Sequence, residues 1–154
     1  MAARGSVSIE VAILAPAFLG LMVVAAVLGR TAIADEAIGS AAHDAARAAS
    51  IARTPGDAQT AATEAANAAL GQAGLSCVTG STVLFAGFVD NEKTSLYAAF
   101  SSPLGSNASV EVTVRCNVSY QDLSISALNV QSTRMRQATF VSPLDRYRSR
   151  TLTS

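Results

Sequence analysis

Glu10 is the side chain whose position most needs a chemical explanation, because it lies where a long apolar segment begins. The residues from Val11 to Gly29 carry no charge, and a carboxylate beside such a segment usually has a partner. Cleavage after Gly5 would supply a cation, since the new ammonium group of Ser6 could neutralise Glu10 of a neighbouring subunit. Alternatively, Glu10 lies hydrated in the headgroup layer, where the dipole at a helix N-terminus favours a carboxylate.

The two cysteines, Cys77 and Cys116, could form a covalent bond. If the region after the apolar segment is exported, an oxidising compartment favours a disulfide between them. The bond would close a loop of about 40 residues and contribute about 4 kcal/mol by chain-entropy arithmetic. Two inert reduced thiols are the alternative. Because no suitable third ligand lies nearby, we expect no metal site.

The sequence contains no pattern typical of an enzyme. Its single histidine, His43, stands beside Asp44, and we expect neighbouring side chains on a helix to project in different directions. No nucleophile elbow and no phosphate-binding glycine loop are present. The net charge is zero, with 11 basic and 11 acidic residues, so no strong positive field attracts nucleic acid. We therefore expect no catalytic residues, cofactor, small-molecule substrate or nucleic-acid partner.

A single long helix is predicted to position Glu10. The segment Val11–Gly29 would span about 28 Å as a helix, close to the bilayer core of about 30 Å. Pro16 predicts a kink or local loosening within it. Beyond the membrane the helical pattern continues to residue 53, and one face there would let a neighbouring helix approach closely. That face consists of Ile33, Ala37, Ala41, Ala45, Ala48 and Ala52.

The rest of the chain is predicted to form a second helix and a small sheet. Thr54 and Pro55 end the first helix and start an alanine-rich helix within residues 54–74. Residues 75–154 form the β region, in which Ser109–Tyr120 alternates clearly between apolar and polar side chains. The other two strands are predicted at Val78–Val89 and Met135–Val141, and the segment Lys93–Gly105 is predicted to be rich in turns. The fold class is therefore α+β, with an antiparallel sheet.

The segment Gly5-Ser-Val-Ser-Ile-Glu10, followed by the apolar run, resembles the class III signal of type IV pilins and pseudopilins. In that family a prepilin peptidase cuts after the glycine, and a glutamate occupies the fifth mature position, which here is Glu10. The longer segment from Arg4 to Pro16 resembles TadE-like proteins of tight-adherence (Tad/Flp) pilus systems. Further similarities are Ala45-Ala-Arg47-Ala-Ala, the cysteine pair and the tail Pro143-Leu-Asp-Arg-Tyr-Arg148. The general character of the sequence suggests an actinobacterial member of the family.

The resemblance implies a minor pseudopilin or pilus assembly component with a pilin-like fold and a leader at residues 1–5. It would cross the cytoplasmic membrane once, N-terminus inside, with its β domain outside the cytoplasm, on the cell surface or in the pilus. The implied partners are a prepilin peptidase, other pilins and pseudopilins, the Tad inner-membrane platform and the lipid bilayer. Ser6 stands where many type IV pilins have Phe, and Val11 where Flp major pilins have Tyr. These departures favour a minor, priming or platform role.

Two other interpretations stay open. In the first, the chain is a small secreted domain with a removable signal peptide, in which Arg4 is the basic region and cleavage follows Ala32-Ile-Ala34. In the second, the chain is an uncut anchor that crosses the membrane once and presents a small binding module. These interpretations differ in the expected mature N-terminus, which is Asp35 in the first and Met1 in the second.

Overall fold

The computed structural model describes the chain over residues 6–119 and 133–147. Its elements, in chain order, are α1 (Ser6–Ile51), α2 (Pro55–Gln72), β1 (Cys77–Val89), β2 (Glu92–Thr94), α3 (Leu96–Phe100), β3 (Ala108–Ser119) and β4 (Thr133–Pro143). The strands form one antiparallel sheet in the order β2-β1-β3-β4. A long helix, a shorter helix and a small sheet make an α+β arrangement, so the predicted fold class is confirmed.

Helix α1 continues from the apolar segment into the folded domain as one 46-residue element. Pro16 lies inside it, and the kink expected there stays a prediction. The helix ends at Ile51, two residues before the predicted end, and the chain then turns at Thr54. The Thr54 hydroxyl accepts a hydrogen bond from the backbone N–H of Asp57 at 3.0 Å, and Pro55 occupies the first turn of α2. This local chemistry is the predicted start of the second helix.

The buried faces of α1 and α2 consist mostly of alanine. The buried alanines of α1 and α2 are each at most 7% exposed: Ala34, Ala37, Ala41, Ala42, Ala45, Ala46, Ala49, Ala58, Ala62 and Ala66. Side chains this small let two helix backbones approach closely. We call this set the alanine seam.

The predicted small-residue face of α1 was partly wrong. Ile33 is 65% exposed, whereas Ala34 and Ile38 are each 1% exposed. The reason is that α1 packs against α2 and also against β3 and β4, so its buried surface is wider than one stripe. Along this part of α1 the neighbours are therefore α2, β3 and β4 of the same chain.

Strand β3 is the centre of the sheet and of the core. Its residues alternate strictly between buried and half-buried, and Val110, Val112 and Val114 are fully buried. The alternation predicted for this strand is therefore confirmed over Ala108–Ser119. The opposite face carries pairs of polar side chains across the strands, such as the Thr113 and Thr139 hydroxyls at 2.8 Å. Such pairing leaves that face compatible with water.

The segment predicted as turns, Lys93–Gly105, contains two short regular elements, β2 and α3. Their lengths of 3 and 5 residues are too short for a periodic pattern to be visible in the sequence. Helix α3 approaches β1 so closely that a Cβ added to Gly87 would lie 2.5 Å from the backbone oxygen of Ser95. The absence of a side chain at Gly87 is thus required for this packing.

Cys77 and Cys116 form a disulfide, with Cα atoms 5.2 Å apart, that joins the start of β1 to the central strand. Residue 116 is 1% exposed, so the bond is part of the core. We expect reduction, or the double variant Cys77→Ala/Cys116→Ala, to lower the free energy of unfolding by about 4 kcal/mol, because the unfolded chain regains the entropy of an open loop. Thermal unfolding followed by circular dichroism, with and without reductant, measures the difference. A wild-type melting temperature that does not respond to complete reduction would contradict this.

The alanine seam predicts that Ala62→Leu destabilises the protein by about 1–3 kcal/mol, because the larger side chain forces the two helices apart. Ala62 is 0% exposed. The matched control is Ala68→Leu, since Ala68 lies on the exposed side of the same helix. Thermal unfolding of the full chain in the same detergent compares the two. Equal melting temperatures for both variants would show that the seam is not closely packed.

Candidate assembly helix and its membrane boundary

The exposed part of α1, from Ile9 to Leu28, is the strongest candidate for a functional surface. The helix contains an 18-residue window with a mean hydropathy of 2.7, none of which is buried. By length and composition it can cross a membrane. Large side chains cover it on all sides, for example Ile13 at 70% and Leu21 at 68% exposed. A helix that is apolar all round and not buried within its own domain requires lipid or other apolar helices around it.

Glu10 lies on this helix, exposed and flanked by Ile9 and Val11, which are 65% and 59% exposed. Among the side chains that the structure describes, in residues 9–119 and 133–147, Glu10 has no ion-pair or hydrogen-bond partner. Along residues 6–29 it is the only ionisable side chain in the sequence. A carboxylate in apolar surroundings needs either water or a cation from outside this set of residues.

Two side-chain contacts attach the outer half of α1 to strand β4. A guanidinium nitrogen of Arg136, Nη1, lies 3.6 Å from Oδ2 of Asp35. Two turns further along the helix, the ring of His43 packs edge-on against Phe140, with ring centroids 4.5 Å apart. The Arg136 pair is partly exposed and contributes little on its own. Together with the buried face of α1, these contacts hold the membrane helix rigidly to the sheet.

A groove marks the place where α1 leaves the apolar segment and enters the domain. It lies between the helix and the turn that follows α2. It is lined by Ala26, Gly29, Arg30, Ile33, Ala34, Ala37, Ala73, Gly74 and Leu75. Ala26 and Gly29 belong to the apolar segment itself, so the turn after α2 reaches the level of the segment's end. No linker therefore separates the domain from the apolar segment.

The predicted processing residues are only partly described. Gly5 lies outside the described residues, while Ser6 is the first described residue of α1. The expectation for His43 and Asp44 was wrong in its geometry, because Nδ1 of His43 lies 3.2 Å from Oδ1 of Asp44. Exposed side chains at adjacent helical positions have enough rotamer freedom to meet. Among the described residues no group of three or more His, Cys, Asp or Glu side chains is arranged to hold a metal.

Arg136 and Phe140 are the residues near this helix that sequence reasoning missed. Both lie on β4, and the α1 residues that they contact, Asp35 and His43, are about 100 residues earlier in the chain. No local sequence pattern connects β4 with α1. One signal was present in the sequence. Arg136, Ala138 and Phe140 occupy alternate positions, with the polar residues Gln137 and Thr139 between them, so the first three share one face of a strand. That alternation predicts a strand face, but the element that covers it is set only by the tertiary fold.

The comparisons with known proteins bear on this helix. Residues 5–47 match the family model described as TadE-like protein. No curated protein and no solved structure matches the chain. The match covers the apolar segment and the first part of the alanine seam, and it carries no information on an actinobacterial origin. Over residues 5–47 this chain is similar to TadE-like proteins, and its apolar helix fits a membrane-anchored component of a Tad pilus.

Proposed function

We propose that this chain is a minor pseudopilin of a Tad pilus system that acts by assembling with other subunits and catalyses no reaction. The observation that carries the proposal is the TadE-like match over residues 5–47, which includes the whole apolar segment that the domain leaves uncovered. The resemblance to TadE-like proteins of pilus systems implies a structural component. The N-terminus lies in the cytoplasm and the domain outside it, where its disulfide can form.

The proposed assembly step depends on the charge of Glu10. A prepilin peptidase cuts after Gly5, and Ser6 then begins the mature chain with an ammonium group. In an assembly of apolar helices, that ammonium neutralises Glu10 of a neighbouring subunit, so that neither charge remains alone in a medium of low dielectric constant. The exposure of Glu10 supports this role, because a partner subunit can reach its carboxylate.

The packing of α1 counts against the interpretation as a secreted domain. Cleavage before Asp35 would divide a continuous helix immediately after Ala34, which is 1% exposed and belongs to the core. It would also place a new chain end at the residue that contacts Arg136. The uncut anchor is compatible with the same packing and differs from our proposal only in processing and in partners.

The proposal predicts a mature chain that begins at Ser6. Intact-mass analysis or N-terminal sequencing of the protein from its native membrane measures this directly, and a host that lacks prepilin peptidase is the control. We expect the first five residues to be absent in the first case and present in the second. A start at Met1 in both hosts would overturn cleavage and favour the uncut anchor, while a start at Asp35 would favour the secreted domain.

The proposal also predicts that Glu10→Ala abolishes incorporation into the assembly while leader removal continues. The variant Glu10→Gln should fail in the same way, because it keeps the size of the side chain and removes the charge. The matched control is Glu36→Ala, since Glu36 is an exposed acid on the same helix beyond the apolar segment. Counting surface pili, and crosslinking the protein to co-purified pilins, measures the effect. Normal assembly of Glu10→Ala would contradict the proposed ion pair.

A further inference from the structure

The end of the domain nearest the apolar segment carries exposed apolar and basic side chains at one level. We call this set the boundary surface: Arg30, Ile33, Leu75, Val78, Arg134 and Met135. All except the half-buried Leu75 are exposed, with Ile33 at 65%, Met135 at 63% and Val78 at 58%. Its level relative to the membrane helix follows from two independent sets of contacts.

The first set is the alignment of β4 with α1. Arg136 contacts Asp35, and Phe140 contacts His43. Four residues of strand cover about 14 Å and eight residues of helix about 12 Å, so the two elements run side by side in the same direction. Arg134 precedes Arg136 by two residues, or about 7 Å, which places its backbone at the level of Arg30.

The second set comes from α2 and β1. The turn at Gly74 and Leu75 lines the groove together with Ala26 and Gly29, so it lies at the same level of α1. Cys77 pairs with Val118, which pairs in turn with Arg134. Val78 follows Cys77 directly and therefore belongs to this end of the sheet. Both routes place the strand ends where the uncharged segment ends.

The chemistry of the boundary surface matches the headgroup layer of a bilayer. Arginine side chains bind phosphate well because the guanidinium is planar and weakly hydrated. Exposed apolar side chains beside them are stabilised when they enter the boundary between headgroups and acyl chains. Among the acids that the structure describes on this part of α1, Asp35 contacts Arg136, and Glu36 lies about 9 Å beyond Arg30 along the helix.

We propose that the boundary surface binds the phospholipid headgroups around α1, so that the domain rests on the bilayer in one fixed orientation. The inference rests on the membrane anchoring of α1 and is independent of leader cleavage and pilus assembly. A lipid surface is favoured over a second copy of the chain because α1 joins the domain to the apolar segment without a linker, which keeps the boundary surface at the level where that segment ends.

The experiment uses the full chain, purified and reconstituted at low protein density into vesicles of phosphatidylcholine with about 30% phosphatidylglycerol. A single added cysteine carries an environment-sensitive fluorophore, while the native disulfide stays oxidised. The label sites are Gln72→Cys near the boundary surface, Leu104→Cys at the far end of the domain, and Leu19→Cys within the apolar segment. Quenching by acrylamide measures water access, and quenching by a headgroup-attached quencher measures contact with lipid.

We expect acrylamide to quench the label at residue 72 several-fold less than the label at residue 104, and the headgroup quencher to show the opposite order. Arg134→Glu should reverse much of this protection. The matched control Arg53→Glu should not, since Arg53 is an exposed arginine two residues beyond the end of α1. Equal quenching at residues 72 and 104, with residue 19 shielded, would overturn this proposal alone. Water access at residue 19 would instead overturn membrane anchoring. Protection that appears only at high protein density would overturn the lipid assignment in favour of a second copy.

Discussion

The structure depends on one constraint: a single helix must be surrounded by lipid or other apolar helices in its first half and packed into a folded domain in its second half. Between Ile9 and Leu28 nearly every side chain of α1 is exposed and apolar, whereas from Ala34 onward one wide face is buried. The helix satisfies its own backbone hydrogen bonds throughout, which is why it can pass between the two environments without interruption. Any tilt of α1 in the membrane therefore tilts the whole domain.

The alanine seam explains how so small a domain can hold this helix. Alanine buries little area, so each contact in the seam contributes modestly to the hydrophobic free energy. The seam compensates through close approach and through the low conformational entropy that alanine loses on burial. The larger side chains of the core, such as Phe100 and the inward valines of β3, lie on or beside the sheet. The disulfide then fixes the central strand to the start of β1, where a register shift interrupts the pairing.

Much of this arrangement could be predicted from sequence because its signals are local. The apolar length of α1, the Thr54-Pro55 start of α2 and the alternation through β3 each depend on neighbouring residues, and each prediction holds. The failures share a different physical origin. The width of the buried face of α1, the short elements β2 and α3, and the contacts of Arg136 and Phe140 are all decided by segments distant in sequence. For the candidate site, the sequence indicated Glu10 from its chemistry but carried no signal for the boundary surface.

The two ends of the apolar segment impose different requirements on a subunit that leaves the bilayer. Glu10 and Arg30 are separated by about 30 Å along the helix, which equals the thickness of the hydrocarbon core. At the Arg30 end, extraction would exchange headgroup contacts for water, and water solvates an arginine well. At the Glu10 end, a carboxylate that enters a bundle of apolar helices gains no water and requires a cation. A neutral partner surface would therefore reject Glu10, whereas a surface with a chain-terminal ammonium would accept it. The single charge of Glu10 can thus select the partner subunit and fix where along α1 that partner binds.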